Sequence, residues 1–329
     1  MPLDVLVPDL LLPADAPRDL RALRLPFLER WLARADIQIA APRSADAWLA
    51  ERFGLKHPAP IAAVALAGEG EPREGTWLRA DPVHFRLDRD SATLHHTAVL
   101  DVRRDEADAL VAALQAHFAP DHLEFVAPSP ERWYVRVPEI EKPATTPLAE
   151  ALGQDVLQRL PRGGGKLNWR AAFTEAQMLL GAHPVNAARE ERGEPAINAV
   201  WFWGEGAAPA TLEQRYARIY SNDRFARGLG TLSGASLVRP RALPDIEGAH
   251  AAVLATFHDL ERPWRRGDAQ AWTAAAQSLE RDLFGALGEA LKRFGEMRLV
   301  LPSAGGTHVA SLTPASRWRW FRRRVPLHA

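Results

Sequence analysis

The chain has 329 residues, and its 41 Lys+Arg balance 41 Asp+Glu, with 11 His and no Cys. The missing cysteine excludes a disulfide framework, a thiol nucleophile and a thiolate metal site. The balanced charge supplies no basic excess for a general nucleic-acid or membrane-surface binder. No apolar run reaches the roughly 18 residues of a membrane span. Asp4 and Asp9 stand where a signal peptide would be basic and apolar, so a cytoplasmic protein is expected.

Leu3 to Val7 reads as a short buried strand stopped by Pro8, with Asp9 in the loop that follows. Pro26 suits a first helical position ahead of the stripe Phe27, Leu28, Trp31 and Leu32. Ser44 is a good N-cap for a helix carrying Trp48, Leu49 and Phe53. Ile61 to Ala67 is a further apolar run. Gly68 to Gly75 has the composition of a linker, and after it the rhythm changes. Trp77 to Arg79, Val83 to Leu87 and Ala92 to His95 read as strands, followed by a helix with Ala107, Leu110, Val111, Leu114 and Phe118 on one face. Leu123 to Val126 and Trp133 to Val137 then pair across a Pro-Ser-Pro turn. This is the outline of a small α+β unit.

Pro138 to Pro147 reads as a second linker, beyond which longer elements return. Asn168 caps a helix through Trp169, Phe173, Ala176 and Leu180, and Ile197 to Trp203 is a strong strand closed by Gly204-Glu205-Gly206. Arg215 to Tyr220, Ala252 to Phe257 and Arg298 to Leu301 read as strands. Trp272 to Phe294 has the clearest helical spacing in the chain. Helices alternating with apolar strands imply a sheet covered on both faces. The expected organisation is therefore an α/β core of residues 1–70 and 143–329, with an inserted α+β subdomain at 76–140.

Gly163-Gly164-Gly165-Lys166 lacks the glycine spacing and the Ser/Thr of a phosphate loop and reads as a flexible linker. His84, His95, His96 and His122 have no chelating spacing, and strand neighbours such as His95 and His96 point to opposite faces. Arg317 to Arg324 interleaves cations with aromatics, as a single-strand nucleic-acid platform does. An edge strand with Trp318 and Trp320 packed inward is the reading preferred.

Gly181 to Gly206 is the most informative stretch: a helix end, a polar turn at His183-Pro184-Val185-Asn186, a short helix, and a strand ending in a Gly-rich loop. Ligands of α/β sheets sit at the carboxyl ends of strands. That places a candidate site at Trp203, Gly204 and Gly206, approached by His183, Asn186, Arg189 and Asn198. The competing reading is that His183 and Asn186 only tie down a turn through backbone hydrogen bonds.

At these residues the chain resembles the archaeal-type cofactor-independent phosphoglycerate mutases of the alkaline phosphatase superfamily. It is similar too to an uncharacterised bacterial family of phosphoglycerate mutase-like or regulatory proteins of the RpfE type. Leu25-Pro26-Phe27-Leu28 looks like the family's Thr-Pro-Asn-Leu helix start, and Trp77 to Val137 falls where the family inserts a small domain. The resemblance implies an alkaline-phosphatase-like core sheet with helices on both faces, and a two-metal centre that activates a serine nucleophile.

The ligands implied for that centre are largely missing. Only Asp9 remains of the family's Asp-Gly, and Asp259 after Phe257-His258 lacks its partner histidine. Pro302-Ser303-Ala304-Gly305-Gly306 replaces the final Asp-His pair, and Trp203 replaces an arginine. Two leftover aspartates cannot build a two-metal site. The expectation is a phosphoglycerate mutase-like protein without metal-dependent catalysis, with no cofactor, acting by binding a protein partner or a small anionic ligand. The alternative is an active phosphoryl-transfer enzyme using Mn or Mg at a rebuilt site.

Overall fold

The computed structural model describes residues 2–13, 15–70, 74–87, 92–95, 99–152, 156–239 and 251–319. In chain order the first elements are β1 (Pro2–Leu6), α1 (Arg18–Arg21), α2 (Pro26–Arg34), β2 (Asp36–Ala40) and α3 (Ala45–Arg52). Next come α4 (Ile61–Gly68), β3 (Thr76–Leu87), β4 (Ala92–His95), α5 (Arg104–Phe118), β5 (Glu124–Ser129) and β6 (Arg132–Val137). They are followed by α6 (Leu148–Ala151), α7 (Trp169–Gly181), α8 (Pro184–Glu191) and β7 (Ala199–Gly206). The last stretch holds β8 (Arg218–Tyr220), α9 (Arg224–Ser233), β9 (Ser236–Val238), β10 (Val253–Thr256) and α10 (Glu261–Arg266). It ends with α11 (Ala269–Leu279), α12 (Leu287–Phe294), β11 (Glu296–Ser303) and β12 (Gly306–Leu312). Among these residues no helix is long and apolar enough to cross a membrane.

The chain divides into two units, one of Met1–Leu55 with Ala210–Ala329 and one of Lys56–Pro209. In the first unit the described strands form one sheet in the order β2-β12-β11-β1-β10-β8-β9. From β11 to β9 the pairing is parallel, and β12 and β2 add antiparallel at one edge. Alternation along β1 sends Leu3 and Val5 to one face, into a core with α2, α11 and α12. Asp4 turns to the other face, where it meets Arg52 of α3 and Tyr216. On that face α9 lies so close to the sheet that a Cβ on Gly230 would run into Leu237 Cδ2.

The single helix expected over Trp272 to Phe294 is broken into α11 and α12 by a π-helical turn at Glu280–Phe284. Glu280 leaves that turn to accept hydrogen bonds from the backbone N–H of Phe27 (2.5 Å) and Leu28 (3.2 Å). It thereby caps α2, whose own N-cap residue, Leu25, has no side-chain acceptor. Trp318, expected to pack inward on an edge strand, belongs to a 3-10 turn at Pro314–Trp318 and is 66 % exposed. Trp320 and Arg322 to Arg324 lie outside the described residues.

In the second unit β3 pairs with β4, β6 and β7, and β6 with β5, all antiparallel. The strands expected at Trp77 to Arg79 and Val83 to Leu87 are one continuous β3. β7, expected in the core sheet, pairs with β3 here instead. Its near-continuous burial comes from packing against α4 and α7 as well as β3. An apolar run buried on both faces does not distinguish a parallel strand from this antiparallel one. The second unit is consequently larger than the expected insertion at 76–140, and the boundaries expected at 70 and 143 fall inside it. Both apolar runs, Ile61 to Ala67 and Ile197 to Trp203, serve this unit.

Candidate functional site

Each polar residue singled out between His183 and Asn198 is engaged in shaping the second unit. His183 Nδ1 accepts from the Val185 N–H at 3.3 Å and caps α8. The buried Asn186 donates to the carbonyls of Leu180 (2.7 Å) and Ile197 (2.9 Å) and accepts from the Ile197 N–H (2.7 Å). Asn198 pairs in the same two-way fashion with the backbone of Phe85. Arg189 is 0 % exposed; it pairs with Glu106 at 2.6 Å and donates to the carbonyls of Pro195 and Leu100. Trp203 Nε1 donates to Asp81 Oδ2 at 2.7 Å, and the Arg79 guanidinium stands over its ring.

Gly204 and Gly206 have positive φ, and they are small for a packing reason. A Cβ on Gly204 would lie 3.1 Å from Ile61 Cβ, and one on Gly206 would lie 2.8 Å from Pro60 Cβ. The loop is therefore shaped by the start of α4. Because β7 belongs to an antiparallel sheet, the carboxyl-end argument that selected this loop does not apply to it. The bonds of His183 and Asn186 are backbone tethers of the kind the competing reading describes.

Gly163 to Lys166 is no free linker either. The Glu141 carboxylate accepts from the backbone N–H groups of Lys166 (3.0 Å) and Leu167 (2.7 Å). These bonds, with a further one from Gly165, hold it below the usual carboxylate range. The glycine-rich run is thus an anion seat filled by the chain's own carboxylate.

The carboxyl ends of the parallel strands in the first unit collect a different set of groups. Asp9 follows β1 with φ 56°, and Asp46 lies in the first turn of α3, two residues beyond the N-cap Ser44. Asp223 follows β8 and caps α9 by accepting from the Ala226 N–H at 2.8 Å. After β10 come His258 and Glu261, with His258 Nδ1 3.1 Å from Glu261 Oε1, and then Arg265. Beneath them, Ser221 Oγ and Thr256 Oγ1, both buried, hydrogen-bond across β8 and β10 at 2.6 Å.

Burial and these neighbours shift the ionisation of Asp9 and Asp46. Desolvation, then Glu261, raises Asp9 to about 6, against the pull of Arg265 and His258. Desolvation, then Asp223 and Glu261, raises Asp46 to about 7. The carboxylate that acts on Asp9 is Glu261, while Asp259, the other leftover aspartate, is exposed. Sequence reasoning missed Asp46, Asp223, His258 and Glu261 as a group. The available signal was that polar residues follow the apolar strands of a parallel sheet, where its ligand sites form.

Beside this group stands an arginine triad, also at strand carboxyl ends. Arg224 and Arg227 occupy the first turns of α9 after β8, and Arg239 directly follows β9. Desolvation and the repulsion of Arg224 and Arg239 hold Arg227 below the usual guanidinium range. Its Nε is buried and has no hydrogen-bond partner among the described residues. Like charges crowded around an unmatched buried donor are the electrostatics of an anion site.

The two-metal centre that the resemblance implies does not fit the donors present. Among the described residues no three or more His, Asp or Glu side chains are grouped so as to hold a metal ion. The carboxylates are interleaved with His258 and Arg265. Where the final Asp-His pair would stand, β11 and β12 stay paired to Ser303 and Gly306, and Ser303 Oγ donates to the Gly306 carbonyl at 2.8 Å.

A largely parallel sheet with helices on both faces, carrying its polar groups at the strand carboxyl ends, is an alkaline phosphatase-like α/β fold. Comparison narrows the class to a resemblance with cofactor-independent phosphoglycerate mutases. A probable 2,3-bisphosphoglycerate-independent phosphoglycerate mutase of Geobacter sulfurreducens is 22% identical over 315 residues, covering 85% of this chain and 78% of that protein. The 2,3-bisphosphoglycerate-independent enzyme of Methanothrix thermoacetophila is 27% identical over 178 residues, 47% of this chain and 45% of that protein. Among solved structures, the PH0037 protein of Pyrococcus horikoshii shares the fold with a TM-score of 0.56 at 14% identity, covering 95% of this chain and 87% of that one. No family model matches the chain.

Proposed function

We propose that this is a phosphoglycerate mutase-like protein that binds a small phosphate-bearing anion without metal-dependent turnover, and that it acts as a binding or regulatory protein. The observation that carries the reading is the contrast at the strand carboxyl ends. Among the described residues the donors there do not group as a metal site, while Arg227 offers a buried Nε that none of them matches, among like charges. Arginine is suited to that role, because its planar fork matches phosphate and carboxylate oxygens.

Three measurements on one preparation test it: elemental analysis, a coupled mutase assay with and without Mn²⁺, and calorimetric titration with inorganic phosphate and 3-phosphoglycerate. The expected result is no stoichiometric transition metal, no interconversion of phosphoglycerates, and phosphate-ester binding that Arg227→Gln weakens. Near-stoichiometric metal with Mn²⁺-dependent turnover, abolished by Asp9→Ala, would overturn the proposal. That outcome would install the active enzyme, with Ser44 beside Asp46 as the first serine to replace.

A further inference from the structure

Between the end of β10 and the π-helical turn lies an open cavity of about 130 Å³. Phe257 and Asp259 come to it from the segment after β10, at the carboxyl end of a parallel strand, where α/β sheets take their ligands. Ser278 and Leu279 come from the last turn of α11, and Asp282 and Leu283 from the π-helical turn, an irregularity common at functional sites. The lining divides by chemistry. Phe257, Leu279 and Leu283 are buried and make an apolar floor. Asp259 and Asp282 are exposed and bring carboxylates to the same space. Ser278 Oγ donates to Asp282 Oδ2 at 2.9 Å and orients that carboxylate. Among the described residues lining the cavity there is no Lys, Arg or His, so the lining itself holds no cation for the two aspartates.

We propose that this cavity is a binding site for a small primary amine, its ammonium at Asp259 and Asp282 and its apolar tail on Phe257, Leu279 and Leu283. Each part of the lining excludes an alternative. The carboxylates repel an anion, a neutral apolar molecule gives them no charge partner, and a hydrated metal ion makes no use of the floor. An ammonium has three donors, enough to serve both carboxylates. An apolar cavity of about 150 Å³ holds benzene, so the space here suits a tail of roughly four to six carbon atoms. Decarboxylated apolar amino acids have this chemistry, whereas the parent amino acids carry a carboxylate that the aspartates repel. The site is separate from the arginine triad, and the inference stands whether or not phosphate binds at Arg227.

Isoamylamine, leucine and isoamyl alcohol share one branched tail and differ in the charges they present to the aspartates. Each is titrated into full-length protein carrying ¹³C-labelled leucine methyl groups, and binding is followed by nuclear magnetic resonance. The amine is expected to shift the methyl signals of Leu279 and Leu283. Its affinity should exceed that of the alcohol at least about threefold, the scale of two solvent-exposed charge pairs, and should exceed that of leucine as well. Replacing both carboxylates, Asp259→Asn with Asp282→Asn, should bring the amine down to the affinity of the alcohol. Ala275→Phe, which fills the cavity from α11, should abolish binding of the amine and the alcohol alike. Absence of amine binding, equal affinity for amine and alcohol, or shifts that spare Leu279 and Leu283 would each overturn the proposal. So would an amine preference that survives in the double asparagine variant. Both aspartates are exposed, so that variant decides the matter even if Ala275→Phe fails to fold.

Discussion

Arg298 reaches across from β11 to the paired position on β1 and donates two hydrogen bonds to Asp4, Nε to Oδ1 at 2.7 Å and Nη2 to Oδ2 at 2.9 Å. Tyr216 donates to the same carboxylate at 2.5 Å, and Arg52 donates to the Tyr216 hydroxyl at 2.8 Å. Asp4 is wholly buried in the middle of the sheet, so its charge is acceptable only with all these partners. Asp4→Ala is expected to cost about 3 kcal/mol in urea denaturation, the lower end for a broken buried pair because both guanidiniums still reach water. Arg298→Met should cost less, since Tyr216 and Arg52 remain. Equal stability of Asp4→Ala and wild type would show that the network adds nothing.

The buried Arg189 and the cap His183 separate structure from binding. Removing Arg189 leaves the buried Glu106 short of a partner and three structural bonds unmade. Arg189→Ala is expected to destabilise by about 3–5 kcal/mol, and His183→Ala by about 0.5–2 kcal/mol as a lost N-cap. Phosphate affinity, measured on whichever variants fold, should match wild type in both. A folded variant that loses phosphate binding would return these residues to the ligand site.

How much of this was legible beforehand depends on what each signal encodes. Caps are local, and the ones expected at Ser44 and Asn168 are made, each accepting from the N–H three residues on. The strands near Leu3, Ala252 and Arg298 were marked by short apolar runs and became β1, β10 and β11. Sheet membership is a long-range property, and the apolar run of β7 carried no mark of its partner β3. The polar motif beside β7 stood out because buried polar residues are rare in a sequence, yet Asn186 and Arg189 are there to satisfy backbone carbonyls. The group at Asp46, Asp223 and His258 left only the weak signal of polar residues after apolar strands, because its members are scattered over more than half the chain.

Stability should fall as the pH rises across a wide window. Asp9 and Asp46 are raised from 3.8 to about 6 and about 7, so the folded state holds protons that the unfolded chain has already released. Their contribution is complete below about pH 4 and is lost as the pH passes the folded values. His258, raised from 6.5 to about 10, adds the same sign at higher pH: full below its unfolded value and gone above its folded one. Urea midpoints taken from acid to alkaline pH should decline through both windows, and Asp46→Asn should flatten the lower one. A midpoint that rises between pH 4 and 7 in wild type and in Asp46→Asn alike would contradict this account.

Glu141 supplies a test of the glycine-rich run in the second unit. Its carboxylate satisfies consecutive backbone N–H groups, while Gly164 has no room for a Cβ, which would lie 2.7 Å from the Glu141 carbonyl oxygen. Such a seat of N–H groups binds anions in general, and here the anion is built in. Glu141→Ala should lower the thermal midpoint, because those donors lose their acceptor to water. Inorganic phosphate should recover part of that loss, since the emptied seat accepts an external anion. The test is the difference between the two proteins in their response to phosphate, which removes the shared effect of any anion bound near Arg227. An unchanged midpoint in Glu141→Ala would show that water serves the loop as well as the carboxylate does, and a phosphate response equal to wild type would show that the seat does not hold anions.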